Sequence, residues 1–155
     1  MEKKILDACC GSRMFWFDKN NPDVLFADVR SGTFISSNGK ETVVDPDVIA
    51  DFRNLPFEDN SFFHVVFDPP HRNDNAPDHW MTHQYGELFS SWETDLRQGF
   101  EECMRVLKPG GTLIFKWHEK NIMVSKILSI LPIKPLYGHK SGKRSNTHWM
   151  AFVKI

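Results

Sequence analysis

The chain has 155 residues, 41% of them hydrophobic and 25% charged, with a formal net charge of −1. That is enough chain for one domain with a real core, and the composition is ordinary for a soluble globular protein. The near-neutral balance excludes a global basic field, so any contact with nucleic acid has to come from a local patch. Three cysteines, two of them adjacent at Cys9 and Cys10, make no disulfide framework and point to a reducing, cytoplasmic setting. No apolar run approaches the roughly 18 residues that span a bilayer. The N-terminus passes from Met-Glu-Lys-Lys into a strand without a signal-peptide pattern, and a single domain over 1–155 is expected.

The first predicted element is a short apolar strand from Lys4 to Ala8, closed by Cys9-Cys10-Gly11-Ser12. Small residues and a glycine at that point let the backbone approach a ligand closely. A dinucleotide fingerprint needs three glycines where this loop has one, which argues against NAD. Arg13 to Lys19 reads as a short helix carrying Phe15, Trp16 and Phe17, ended by Pro22. Val24 to Ala27 is a second strand, and Asp28 stands at its end, 21 residues after Asp7. An acid at that distance is placed to bind a ribose hydroxyl pair. A hairpin is expected around Asn38-Gly39, and Val48 to Ala50 forms the third strand, closed by Asp51 and Phe52.

Phe62 to Phe67 is an apolar run of the kind buried on both faces of a parallel sheet. It ends in Asp68-Pro69-Pro70-His71, where such a sheet places its ligands. The prolines fix their own φ and lack an N–H, so the carbonyls of Asp68 and Pro69 turn toward a ligand and not into a helix. Arg72 to Gln84 is polar and reads as an active-site loop, with His71, Asn73, His79, Trp80 and His83 as lid or substrate contacts. His79 and His83 are four apart, but Pro77 opposes a helix there and no further ligand is placed, so no metal site is expected.

Glu87 to Leu107 is the clearest helix, with Leu88, Trp92, Leu96, Phe100 and Met104 recurring every three or four residues. Lys108-Pro109-Gly110-Gly111 stops it, and Thr112 to Trp117 is the fifth strand. A helix from Asn121 to Leu131 follows, then strands over Ile133 to Tyr137 and His148 to Lys154 as an antiparallel pair. Between these strands lies the one concentrated basic segment, with Lys140, Lys143 and Arg144. It reads equally as a phosphate-holding loop or as a solvated hairpin tip.

Asp7-Ala8-Cys9-Cys10-Gly11, then Asp28, Asp51, Asp68-Pro69-Pro70-His71 and Arg105-Val-Leu-Lys-Pro-Gly-Gly-Thr-Leu-Ile occur in that order over nearly the whole chain. Together they resemble the class I S-adenosylmethionine-dependent methyltransferases. The resemblance implies an α/β, Rossmann-like sheet of seven strands in the order 3-2-1-4-5-7-6, last strand antiparallel, in a trimmed form. It implies S-adenosylmethionine as cofactor, held by Asp7, Ala8, Cys9, Gly11, Asp28, Asp51, Phe52 and Asp68, with Asp51 facing the exocyclic amine of the adenine. Asp68-Pro69-Pro70-His71 is similar to the [D/N]-P-P-[Y/F/W/H] signature of amino-methyltransferases, although histidine is less usual in the last place. In that family the target is N6 of adenine or N4 of cytosine.

On that likeness Asp68, Pro69, Pro70 and His71 are the catalytic residues. Asp68 and the Pro69 carbonyl accept the two amine hydrogens, and His71 stacks on the target ring. His71, Asn73, His79, Lys140, Lys143 and Arg144 are the expected substrate contacts. A chain of this size has little surface for reading base edges, which favours N6 of adenine in RNA over DNA. A homodimer or a partner subunit would extend the recognition surface. The alternatives are a DNA adenine or cytosine amine, a protein glutamine amide, a small molecule, and a non-catalytic cofactor-binding subunit. No membrane association is expected.

Overall fold

Short apolar runs separated by polar strand ends build a parallel sheet, because only burial on both faces suits strands without hydrophilic alternation. A computed structural model describes residues 2–73, 77, 79, 82–83 and 86–155. Its elements are β1 (Ile5–Asp7), β2 (Val24–Asp28), β3 (Gly32–Ile35), β4 (Glu41–Val44), β5 (Val48–Ile49), β6 (Phe62–Phe67), α1 (Trp92–Val106), β7 (Leu107–His118), α2 (Val124–Ile130), β8 (Tyr137–Lys140) and β9 (Thr147–Val153).

Seven strands form one sheet in the order β5-β2-β1-β6-β7-β9-β8. The pairs from β5 to β7 are parallel, and β9 runs antiparallel to both β7 and β8. Leaving out the separate β3–β4 hairpin, the order in chain numbering is 3-2-1-4-5-7-6, as expected. That hairpin turns at Asn38-Gly39, with Gly39 at φ +79°, a conformation glycine adopts without strain. The core lies along the central strands, where Leu6, Val65, Phe67, Leu113, Phe115 and Trp117 are fully buried, and α1 lays Leu96, Phe100 and Cys103 against them. Among the described residues no helix is long and apolar enough to cross a membrane.

Gly99 of α1 sets how closely the helix approaches the site. A methyl group there would overlap the Phe52 ring and lie 2.9 Å from that of Phe67. Only hydrogen fits between the helix and the residue that follows β5.

Several elements differ from the sequence expectation: β7 begins at Leu107, so Lys108-Pro109-Gly110-Gly111 lies within a strand, and the second helix is shorter, Val124–Ile130. Residues 13–19 form turns and not a helix, because Arg13 takes φ +57° and sends its guanidinium to the carbonyls of Lys19 and Asp45. The long helix starts at Trp92, since the segment before it is tied elsewhere: the Leu88 N–H donates to the Arg72 carbonyl at 2.7 Å. The sixth strand begins at Tyr137, four residues later than the expected Ile133, because its register on β9 pairs Tyr137 with Ala151 and Lys140 with His148. His139 and Lys140 therefore belong to a strand and not to the connecting loop.

Candidate active site

The carboxyl ends of β1, β2, β5 and β6 converge on a cavity of about 570 Å³. Ala8 and Cys9 line it from the end of β1, Asp28 and Arg30 from β2, and Asp51, Phe52 and Arg53 from β5. Pro70 closes the β6 side, and Phe34 of the hairpin, His83 and Leu88 wall the mouth. Its volume falls in the roughly 300–1,000 Å³ range of small-molecule sites.

Two acids in this wall share one local arrangement, Asp-x-Arg. Asp28 Oδ2 accepts the Gly11 N–H at 2.9 Å, which folds the glycine loop onto the end of β2. Its Oδ1 accepts from the Arg30 backbone at 2.9 Å and from Arg30 Nε at 3.3 Å. Asp51 Oδ1 accepts the Arg53 N–H at 2.9 Å, and Arg53 Nη2 lies 2.6 Å from Asp51 Oδ2. The Arg53 bond holds the Asp51 carboxyl below the usual carboxylate range. Arg30 also donates to the carbonyls of Thr82 at 3.2 Å and His83 at 2.7 Å, so one guanidinium links an acid of the cavity wall to the segment over its mouth.

Asp7 is fully buried. It accepts the Trp16 Nε1–H at 2.7 Å and the Cys9 N–H at 3.3 Å, so its carboxyl organises the loop that shapes the cavity. Burial pushes its pKa up to about 7; the Trp16 bond opposes that rise, and the charges of Asp68 and Asp28 add to it.

Asp68 is 2% exposed at the end of β6. Lys116 Nζ lies 3.0 Å from its Oδ2, and His71 Nε2 lies 2.9 Å from its Oδ1. Burial opposes ionisation of this carboxyl, but the His71 and Lys116 contacts outweigh it, and its pKa falls below the ordinary value. His71 differs from the expectation of an open stacking ring: it is 3% exposed and stands edge-on to Trp117, with ring centroids 4.9 Å apart. Its imidazole is turned to Asp68 because a buried carboxylate requires partners on both oxygens.

The remaining expected contacts are dispersed. Asn73 is exposed and lines a recess of about 440 Å³ with Glu87 and Trp92. His79 is half-buried, and its carbonyl caps the Thr82 N–H at 2.9 Å. Trp80 lies outside the described residues. Lys140 and Lys143 line a separate groove of about 560 Å³, with Arg144 exposed beside it. Lys140 is drawn to the end of β7 by Glu119, at 3.2 Å, and His148 sits 2.9 Å from the same oxygen. The His148 bond, then the Val124 N–H, lower the Glu119 pKa to about 2.

Arg30, Arg53 and Lys116 were not legible as site residues from motif order. Lys116 carried a signal all the same: a lysine in the apolar run Leu113-Ile114-Phe115-Lys116-Trp117 is costly unless it meets an acid, and Asp68 ends the neighbouring strand.

No protein-family model matches the sequence, and no curated protein matches it. Solved structures do match. A protein from Pyrococcus horikoshii OT3 aligns with TM-score 0.62 at 16% identity, over 100% of this chain and 83% of that one. A Methanosarcina mazei protein described as a SAM-dependent methyltransferase gives TM-score 0.54 at 12% identity, over 100% and 94%. The fold is that of the S-adenosylmethionine-dependent methyltransferases. TrmN from Thermus thermophilus shares this methyltransferase fold, with TM-score 0.61 at 14% identity over 99% of this chain, which spans 44% of TrmN. The cavity lies at the carboxyl ends of β1, β2 and β5, and Pro70, two residues after Asp68, stands at its β6 border.

Proposed function

We propose that this chain is an S-adenosylmethionine-dependent N-methyltransferase acting on the exocyclic amine of a nucleobase, with N6 of adenine in RNA as the first target. The observation that carries the reading is the buried carboxylate of Asp68, held by Lys116 and His71 at the end of β6, two residues before Pro70 of the cavity wall.

The cavity fits the cofactor by the chemistry of its wall. Asp28 offers carboxylate oxygens for ribose hydroxyls and Asp51 for an adenine amine, while Ala8, Ala50, Phe52 and Leu88 give an apolar lining for a flat base. Each carboxylate has about four acceptor positions, so the Arg30 and Arg53 contacts leave capacity for a ligand. When bound, S-adenosylmethionine supplies an electrophilic methyl group on a positively charged sulfur.

An aryl amine is a poor nucleophile because its lone pair is delocalised into the ring. Asp68 and the Pro69 carbonyl accept its two hydrogens, which favours a pyramidal nitrogen with its lone pair free to attack. The nitrogen then sheds one proton to Asp68 or to water. Positioning and fixed charge supply most of the acceleration. Lys140, Lys143 and Arg144 hold the phosphates of the strand, and a second subunit or a second copy extends that surface.

One observation favours a second reading. Asp68 is only 2% exposed with both oxygens in contact, which suits a structural acid and a different acceptor, such as a protein glutamine amide or a small molecule. The test is transfer of labelled methyl from S-adenosylmethionine to total RNA, genomic DNA and protein in parallel, followed by nucleoside analysis. Label in N6-methyladenosine of RNA is the expected result. Label in protein alone selects the second reading, and label in none of the three refutes the first.

A further inference from the structure

Lys116 holds the buried Asp68 carboxylate and also stands between two aromatic rings. The β6–β7 register pairs Phe67 with Phe115, so the next residues, Asp68 and Lys116, come level at the carboxyl edge of the sheet. Their charged atoms are 3.0 Å apart, and the lysine side chain is 11% exposed. Phe15 and Trp149 flank the ammonium, with ring centroids at 5.1 Å and 5.5 Å, and the two rings meet edge to face at 5.6 Å. Both rings are half-buried. Among the described residues, the charged and titratable groups around the pair include His71 on the other Asp68 oxygen, Asp7 and Cys9 coupled to Asp68 through charge, and His118, on which both Lys116 and His71 act.

A carboxylate alone accepts from any N–H and distinguishes few amines. An ammonium fixed beside it adds a donor next to the acceptor. The complement of that pair is an amine with a lone-pair acceptor on the neighbouring ring atom, as in N6 and N1 of adenine or N4 and N3 of cytosine. We propose that Lys116 is a specificity-determining residue that donates to the ring nitrogen beside the target amine, while Asp68 accepts from the amine itself and Phe15 and Trp149 provide the flat surfaces against which the base rests. This inference rests on the nucleobase reading above. Lysine suits the role because its ammonium carries three donors on a flexible stem, so it holds Asp68 and reaches a second acceptor together.

The test compares random-sequence RNA transcribed with adenosine against the same pool transcribed with 1-deazaadenosine, which keeps the amine and lacks the N1 lone pair. With the wild-type chain, kcat/KM falls about 10- to 100-fold on the deaza pool, the range for a lost hydrogen bond to a charged group. Lys116→Met falls by a similar factor on adenosine and no longer distinguishes the pools, whereas Lys116→Arg recovers part of the preference. Equal rates on both pools with wild type overturn the inference and leave the nucleobase reading standing. That comparison needs no variant, so misfolding of Lys116→Met cannot shelter the idea. Preference retained in Lys116→Met overturns it as well. No label in any nucleoside of either pool removes the nucleobase reading and this inference with it.

Discussion

Replacing Asp7 by Asn is expected to stabilise the protein, although Asp7 organises the loop that shapes the cavity. The folded chain keeps the Asp7 proton to about pH 7, against an ordinary value of 3.8. Between those limits the native state binds more protons than the unfolded state, so this group makes stability fall as pH rises. The penalty is absent below the unfolded pKa and complete above the folded one. Three units at 1.36 kcal/mol each set a ceiling of about 4 kcal/mol. Asn keeps an oxygen for the Trp16 Nε1–H and gives up the longer 3.3 Å bond from Cys9, worth about 1 kcal/mol. Asp7→Asn should therefore be more stable than wild type by about 2–3 kcal/mol near pH 8, and the two should nearly coincide near pH 5. Urea unfolding followed by tryptophan fluorescence at both pH values measures this. A variant less stable than wild type near pH 8 would mean that Asp7 is an ionised, stabilising group, and the argument from burial would be refuted.

Asp68→Ala should abolish methyl transfer and leave cofactor affinity within a few-fold, at a stability cost of about 3–5 kcal/mol from the buried, unpaired Lys116; a folded variant that still transfers methyl would remove Asp68 from the chemistry. Gly99→Ala should cost about 1–3 kcal/mol and drive the Phe52 ring into the cavity, weakening S-adenosylmethionine binding by calorimetry. Unchanged affinity would mean that the ring yields in another direction. Lys143→Ala with Arg144→Ala should weaken RNA binding and flatten the slope of log affinity against log salt by about 1.4, the single-strand value for two phosphate contacts. An unaltered slope would take this loop out of the substrate path.

The parallel strands were readable because burial on both faces writes itself as short apolar runs, and the acids at their ends could be counted off by spacing. Asp28 and Asp51 reach one cavity for that reason. What the sequence concealed depends on partners distant along the chain. Arg13 looked helical until its guanidinium found the carbonyl of Asp45, and the sixth strand took its register from β9 and not from its own hydrophobicity. His71 had the composition of a stacking ring, but two buried oxygens on Asp68 competed for it and its neighbour across the strand supplied only one cation. The Asp-x-Arg turns were likewise invisible as a pair, since each is a local feature whose meaning comes from facing the same space.

Leu88 bonds to the Arg72 carbonyl, so the chain leaves the sheet edge after the Asp-Pro-Pro-His turn and returns to the same point before α1. The closure of such an excursion depends little on its length. Doubling its length would cost only about 0.6 kcal/mol in closure entropy. Insertions that spare Thr82 and His83, which Arg30 ties to the cavity wall, leave the strands and the Asp68–Lys116 contact as they are. The fold thus keeps its chemistry in one part and leaves another open to variation, and a change of substrate in a descendant of this chain would be expected first between residues 72 and 88.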